Sequence, residues 1–161
     1  MAWEQITLRL GIALLLGGMI GLERQWRSHY VGLRTNTLIT IGSAALMIFG
    51  LMLPAGDPTG LGRIASQIIT GVGFLCAGVI MHEGVNIKGF NTAATLWCSV
   101  AVGMFAGTGL FMPAAILTIC IILVNLLMRP VVYFINRTTT PEEMESNGDK
   151  AGNTRAAKKD Q

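Results

Sequence analysis

Long apolar stretches dominate this chain, and glycine, proline and charged residues break them at recurring intervals. The first stretch runs from about Ile6 to Leu22. The second runs from about Thr37 to Leu53, where Pro54 stops it, and the third from about Ile64 to Met81. Each is near the length that a helix needs to cross a hydrocarbon core of about 30 Å. The 37 residues from Thr92 to Met128 carry no formal charge. As a single helix rising about 1.5 Å per residue they would extend roughly 55 Å, well beyond a bilayer core, so they must fold back. Gly107-Thr108-Gly109 followed by Pro113 offers turn and helix-start chemistry at the right place. The fold-back gives a fourth span over about Thr92–Ala106 and a fifth over about Leu110–Met128. The pattern therefore predicts an all-α, polytopic membrane protein with five transmembrane helices in one domain over residues 1–136.

Composition agrees with this reading. Charged residues make up 13% of the 161 positions, against about 25% in an average soluble domain. Between Thr37 and Arg129 the only formal charges are Asp57, Arg63, Glu83 and Lys88. The apolar run from Ile6 is too long for a signal-peptide core and contains Arg9, so it reads as a retained first span. Residues 137–161 change character. Acidic and basic residues mix there with Ser, Asn, Gly and Thr, which suits a disordered polar tail.

The net charge of +3 is too small to suggest a nucleic-acid partner, and its natural use is orientation in the bilayer. Arg24, Arg27, Arg34, Lys88, Arg129 and Arg137 follow odd-numbered spans, whereas only Arg9 and Arg63 fall on the opposite side. The excess places the C-terminus in the cytoplasm and the N-terminus outside. Cys76, Cys98 and Cys120 lie in apolar runs without CxxC spacing and read as buried small apolar residues rather than a disulfide frame.

With that topology, four separate stretches meet at the cytoplasmic face: GLERQWR (Gly21–Arg27), GLRTNT (Gly32–Thr37), GVIMHEG (Gly78–Gly84) and GFNTAAT (Gly89–Thr95). They bring Glu23, Arg24, Arg34, Thr35, Asn36, Glu83, Asn91, Thr92 and Thr95 into one polar layer. Two readings stand side by side. The layer is an ion or ligand site or a docking face, or it is a clamp pinning helix ends. Asn91, Thr92 and Thr95 stand where the fourth helix starts and could cap its free N–H groups. His82-Glu83 lacks the second histidine of a zinc-protease helix, and Gly71-Val72-Gly73 lacks the lysine of a phosphate loop. No motif supports an enzyme, and no cofactor is expected. Glu23 and Glu83 are the only weak candidates for a metal ion such as Mg2+.

Small residues recur at helical spacing: Gly17 with Gly21, Gly103 with Gly107, and Gly73 with Ala77, next to Gly78. Such faces let helices approach closely in lipid. They serve either packing within the bundle or homodimerisation. Gln67 could hydrogen-bond across helices or line a path.

Taken together, GLERQWR, GLRTNTL and the run GRIASQIITGVGFLCAGVIMHEGVNIKGFNTAATLWCSVAVGMFAG resemble the MgtC/SapB family of bacterial membrane proteins over about residues 5–128. The resemblance implies a bacterial inner-membrane protein tied to magnesium limitation and virulence. It implies a regulator of ion or energy balance, with the F-type ATP synthase among its membrane-protein partners. A magnesium or other small-cation transporter is the alternative. Two departures are visible. Cys76 replaces a common glycine. The segment after Arg137 does not resemble the soluble C-terminal domain of many longer relatives, so small-ligand sensing by that domain is not carried over.

A transport path would need carboxylates or carbonyl rings at depth. This sequence has no acidic residue in the middle of any span. The orientation leads to a direct test. A reporter fused after Asn136 is expected to behave as cytoplasmic, and a periplasmic signal there would mean that one span has been miscounted.

Overall fold

The structure, a computed structural model, describes residues 2–26, 32–53, 59–83 and 86–138, with the side chains of 81–83, 86–88, 129 and 131–138 outside that description. Five helices account for most of it: α1 (Trp3–Trp26), α2 (Leu33–Met52), α3 (Gly60–Val79), α4 (Phe90–Thr108) and α5 (Phe111–Thr138). All five are long and apolar enough to cross a membrane, and the fold is all-α as the pattern predicts. A small antiparallel hairpin, β1 (Met81–Glu83) and β2 (Asn86–Lys88), joins α3 to α4, with His82 opposite Ile87.

Helix ends differ from expectation by a turn or less in most places. The third helix stops at Val79 because Ile80 turns extended, at φ −80 and ψ 114. The fourth begins after Gly89, whose φ of +101 suits glycine. A Cβ at Gly89 would collide with the Val79 carbonyl, so the chain passes close over the end of α3 there. The fourth helix ends at Gly109, φ +88. The Gly109 N–H bonds to Ala106 O at 3.1 Å, and the Leu110 N–H bonds to Phe105 O at 2.9 Å. That pair of bonds is a Schellman cap, and it places the fold-back at Gly109–Leu110.

Met1–Val124 forms one compact unit. A second begins at Asn125, and its described part is the continuation of α5 to Thr138. The helix passes the expected end at Met128 and includes Pro130. Proline withholds one N–H, but the residues after it, Val131–Ile135, remain apolar. Helix therefore replaces the start of the expected tail at Arg137–Thr138. The remainder of that tail lies outside the described residues, as do Arg27, His29, Tyr30, Pro54 and Asp57.

Within the first unit the usual size order of core and surface is inverted. Most of the fully enclosed positions are small or polar: Ala13, Ala44, Ala106, Ala114, Thr40 and Ser99 are each 0% exposed, with Ile20 and Val102 the larger exceptions. Large apolar side chains such as Leu15, Met19, Phe49, Phe74 and Ile119 face outward. A soluble protein rarely shows so broad an apolar surface, whereas lipid solvates it freely. Two small clusters hold the interior. Ala13, Ile20, Ala44, Val102, Ala106, Ala114 and Ile121 form one, and Met47, Ile68, Val72 and Val100 the other. Both include α4, and half of its apolar window is buried against 11% for α3.

Close approaches at glycine explain how the helices reach this packing. A Cβ at Gly17 would stand 2.7 Å from Thr40 Cβ, and one at Gly21 would stand 2.6 Å from Leu33 Cα, so α1 lies almost on the α2 backbone. A Cβ at Gly103 would meet Ser43 Oγ and the Thr40 carbonyl, and one at Gly107 would lie 2.8 Å from Ala44 Cα. The third helix behaves differently. Nothing lies within 4 Å of a Cβ at Gly71, Gly73 or Gly78. Gly73 and Gly78, expected at packing faces, make no close approach within the described chain, and Ala77 beside them is exposed. A side chain at position 103 or 107 meets backbone that cannot yield. Gly103→Leu is therefore expected to cost more than the about 1–3 kcal/mol of ordinary overpacking. Gly73→Leu should leave the bundle intact. Thermal denaturation of both variants in detergent checks the contrast, and equal losses would refute it.

Candidate functional site: a polar seam along α2 and α4

Helices α2 and α4 run parallel. Thr40 and Ser43 of α2 therefore meet Ser99 and Gly103 of α4 in the same order along the two chains. The facing positions Asn36, Thr40 and Ser43 recur at one face of α2, and Thr95, Ser99 and Gly103 at one face of α4, as 3.6-residue periodicity requires. Asn36 is 1% exposed. Its Nδ2 donates to Gly32 O at 2.9 Å, and its Oδ1 accepts from Ser99 Oγ at 3.0 Å. The Ser99 hydroxyl also lies 2.9 Å from Thr95 O. A hydroxyl carries one proton, so it serves either acceptor at a given moment. Thr40 Oγ1 donates to Asn36 O at 2.8 Å and stands 3.3 Å from Ser99 O. Ser43 Oγ donates to Thr40 O at 3.0 Å. A buried amide without partners would be strongly disfavoured, and here its oxygen and nitrogen are both engaged.

The seam continues to an arginine at one end of the bundle. Arg24, in the last turn of α1, is 2% exposed, and its Nη2 donates to Thr92 Oγ1 at 2.7 Å. The cation is favourably placed at the negative end of its own helix. It also ties α1 to the first turn of α4. A second arginine of α1 ties the other end of α4: Arg9 Nη1 donates to Gly107 O at 2.7 Å. Gly107 belongs to the last turn of α4, whose carbonyls lack intrahelical partners, so Arg9 caps that terminus from outside the helix. Arg9 and Arg24 are fifteen residues apart on α1, and Gly107 and Thr92 are fifteen apart on α4. The two antiparallel helices are thus fastened in register at both ends.

The sequence-predicted layer is assembled only in part. Arg24 bonds Thr92, and separately Asn36 and Thr95 meet through Ser99. Thr35 and Glu23 are half-buried at the same end. Arg34 and Asn91 occupy the first turns of α2 and α4 with exposed side chains. The Glu83 side chain lies outside the described residues. Capping by Asn91, Thr92 or Thr95 does not occur. Gly89 holds the N-cap position and makes no side-chain bond, Thr92 accepts from Arg24, and Thr95 Oγ1 donates back to Asn91 O at 2.8 Å.

Sequence reasoning missed Thr40, Ser43, Ser99 and Thr118, all buried, and gave Arg9 only an orienting role. The signal for the first three was present as hydroxyls at spacings of three and four inside apolar runs. Cys76 and Cys98 are half-buried and Cys120 exposed, and all three are free thiols. Cys76 Sγ lies 3.3 Å from Ala93 O, in the α3–α4 contact, where a glycine would offer no donor. Among the described residues no group of three or more His, Cys, Asp or Glu could hold a metal ion.

A model of the MgtC family matches residues 10–134, which include every residue of the seam and all but Arg9 of the pair that fastens it. The chain belongs to the MgtC family. It is 54% identical over 122 residues to Protein MgtC of Brucella abortus, covering 74% of this chain and 50% of that protein. It is 47% identical over 138 residues to Protein MgtC of Salmonella paratyphi A, covering 86% of this chain and 58% of that protein. An uncharacterized protein of Synechocystis sp. is 47% identical over 137 residues, 84% of this chain and 57% of its own length. The chain therefore spans little more than half the length of these relatives. No solved structure matches it.

The seam can be tested without reference to function. Asn36→Ala leaves the Ser99 hydroxyl short of one acceptor, and Ser99→Ala leaves the amide oxygen without its donor. Each is expected to destabilise the bundle by about 1–3 kcal/mol, with the double variant losing less than the sum. Strict additivity in a double-mutant cycle would show that the two side chains do not interact.

Proposed function

We propose that this MgtC family member is a non-enzymatic regulator in the bacterial inner membrane, acting by contact with other membrane proteins and adjusting ion or energy balance under magnesium limitation. The observation that supports this reading most is the way the polar groups inside the bundle are used. Asn36, Thr40, Ser43 and Ser99 bond to one another and to adjacent carbonyls. A conduction path presents such groups to a continuous aqueous space instead. The groove between α2 and α3 is lined chiefly by apolar side chains, and no carboxylate is among its described lining residues.

The end of the bundle near Arg24 is the proposed docking face. Arg34 and Asn91 stand exposed there, above a network already closed below them. In the N-out, C-in orientation that face is cytoplasmic. The F-type ATP synthase is the partner that the family resemblance suggests.

The deciding experiment is reconstitution of the protein into liposomes loaded with a magnesium-sensitive dye. Under an inward magnesium gradient, the expected rate equals that of protein-free liposomes. Saturable flux lost in the Asn36→Leu variant would replace this reading with that of a small-cation transporter.

A further inference from the structure

Helices α2 and α3 diverge enough to leave a groove of about 700 Å³ between them. Its lining follows α2 from Leu38 to Leu53 and α3 from Gly60 to Leu75. Fifteen residues of helix rise about 22 Å, more than the roughly 15 Å of one leaflet of a 30 Å core. Gly42 of α2 and Gly71 of α3 line it from its two sides, and a Cβ at either position would meet nothing within 4 Å. Leu46, Phe49 and Leu75 form apolar walls. Among the described lining residues the single formal charge is that of Arg63, in the first turn of α3 and exposed at one end of the groove.

This order of chemistry, a cation at one end with Gln67 one turn further along and a mostly apolar lining beyond, is the complement of an anionic amphiphile. We propose that the groove holds one acyl chain of an anionic phospholipid, with the lipid phosphate against Arg63. Arginine suits that contact because its planar guanidinium donates two parallel bonds to phosphate oxygens. The chain then lies over Gly42 and Gly71, covering backbone that no protein side chain shields. A transmembrane helix is a poorer occupant. With side chains it measures about 10–12 Å across, several times the width of an acyl chain.

The test uses the whole chain reconstituted in phosphatidylethanolamine vesicles containing phosphatidylglycerol, extracted gently and weighed with bound lipid by native mass spectrometry. The wild type is expected to retain phosphatidylglycerol in preference to phosphatidylethanolamine. Arg63→Gln should lower that preference by about fivefold, the worth of one basic residue beside anionic lipid. Gly71→Leu fills the groove without striking backbone and should remove the bound lipid while thermal stability stays unchanged. Gly42→Leu does the same from the opposite wall should Gly71→Leu fold poorly. Unchanged retention in the groove-filling variants overturns the proposal, as does an Arg63→Gln variant with undiminished preference for phosphatidylglycerol. If a groove-filling variant instead converts a dimer to a monomer with its lipid unaltered, the groove belongs to a second copy of the chain.

Discussion

The contact between α2 and α4 sets the terms for the rest of the bundle. In lipid no water-driven collapse pulls helices together, because the solvent is as apolar as the side chains. Association then depends on how closely two backbones can approach and on what they can bond to at that distance. Gly103 and Gly107 put the α4 backbone against Thr40, Ser43 and Ala44 with no side chain between. At that separation a serine or threonine hydroxyl reaches a carbonyl of the neighbouring helix, as Thr40 does with Ser99. The glycines and the polar seam are therefore one device. Without the close approach the hydroxyls would bond only within their own helices, and without the bonds the approach would lack much of its direction.

Central placement of α4 follows from this contact. It is packed by α1, α2 and α3, and it leaves the large apolar side chains of the other helices free to meet lipid. The third helix is held mainly through Ile68 and Val72, and one glycine-bearing side of it remains uncovered. The interior is thus closed and the flank open. The two regions also differ in chemistry: hydroxyl and amide groups in the interior, apolar walls with one arginine on the flank.

The spans were legible in the sequence because composition and length alone decide whether a segment can cross a bilayer. The forced fold-back near Gly109 was legible for the same reason. Residue roles were harder to read. Asn91 and Thr92 have the chemistry of N-caps, but a left-handed Gly89 already ends the preceding segment, so their side chains are released for other uses. Gly73 has the spacing of a packing glycine, yet spacing cannot tell which side of a helix meets protein and which meets lipid. Asn36 is visible in the sequence as a polar group near the start of α2, but its partner Ser99 is not, since parallel α2 and α4 share a register that only the packed helices reveal. Arg9 was read through its charge alone. An arginine more than a turn inside a membrane helix must also satisfy its N–H groups, and a helix C-terminus is the nearest supply of acceptors.

The two arginines of α1 give the molecule a fixed height. Their attachment points on α4 are fifteen residues apart, or about 22 Å along the helix, whereas a typical hydrocarbon core is about 30 Å thick. Neither guanidinium can extend outward without leaving its acceptor, and Arg24 is enclosed by protein rather than by lipid. Sliding α1 along α4 by a single residue, about 1.5 Å, would stretch both bonds at once. The pair of arginines thus works as a ruler that lets the two helices meet at one offset alone.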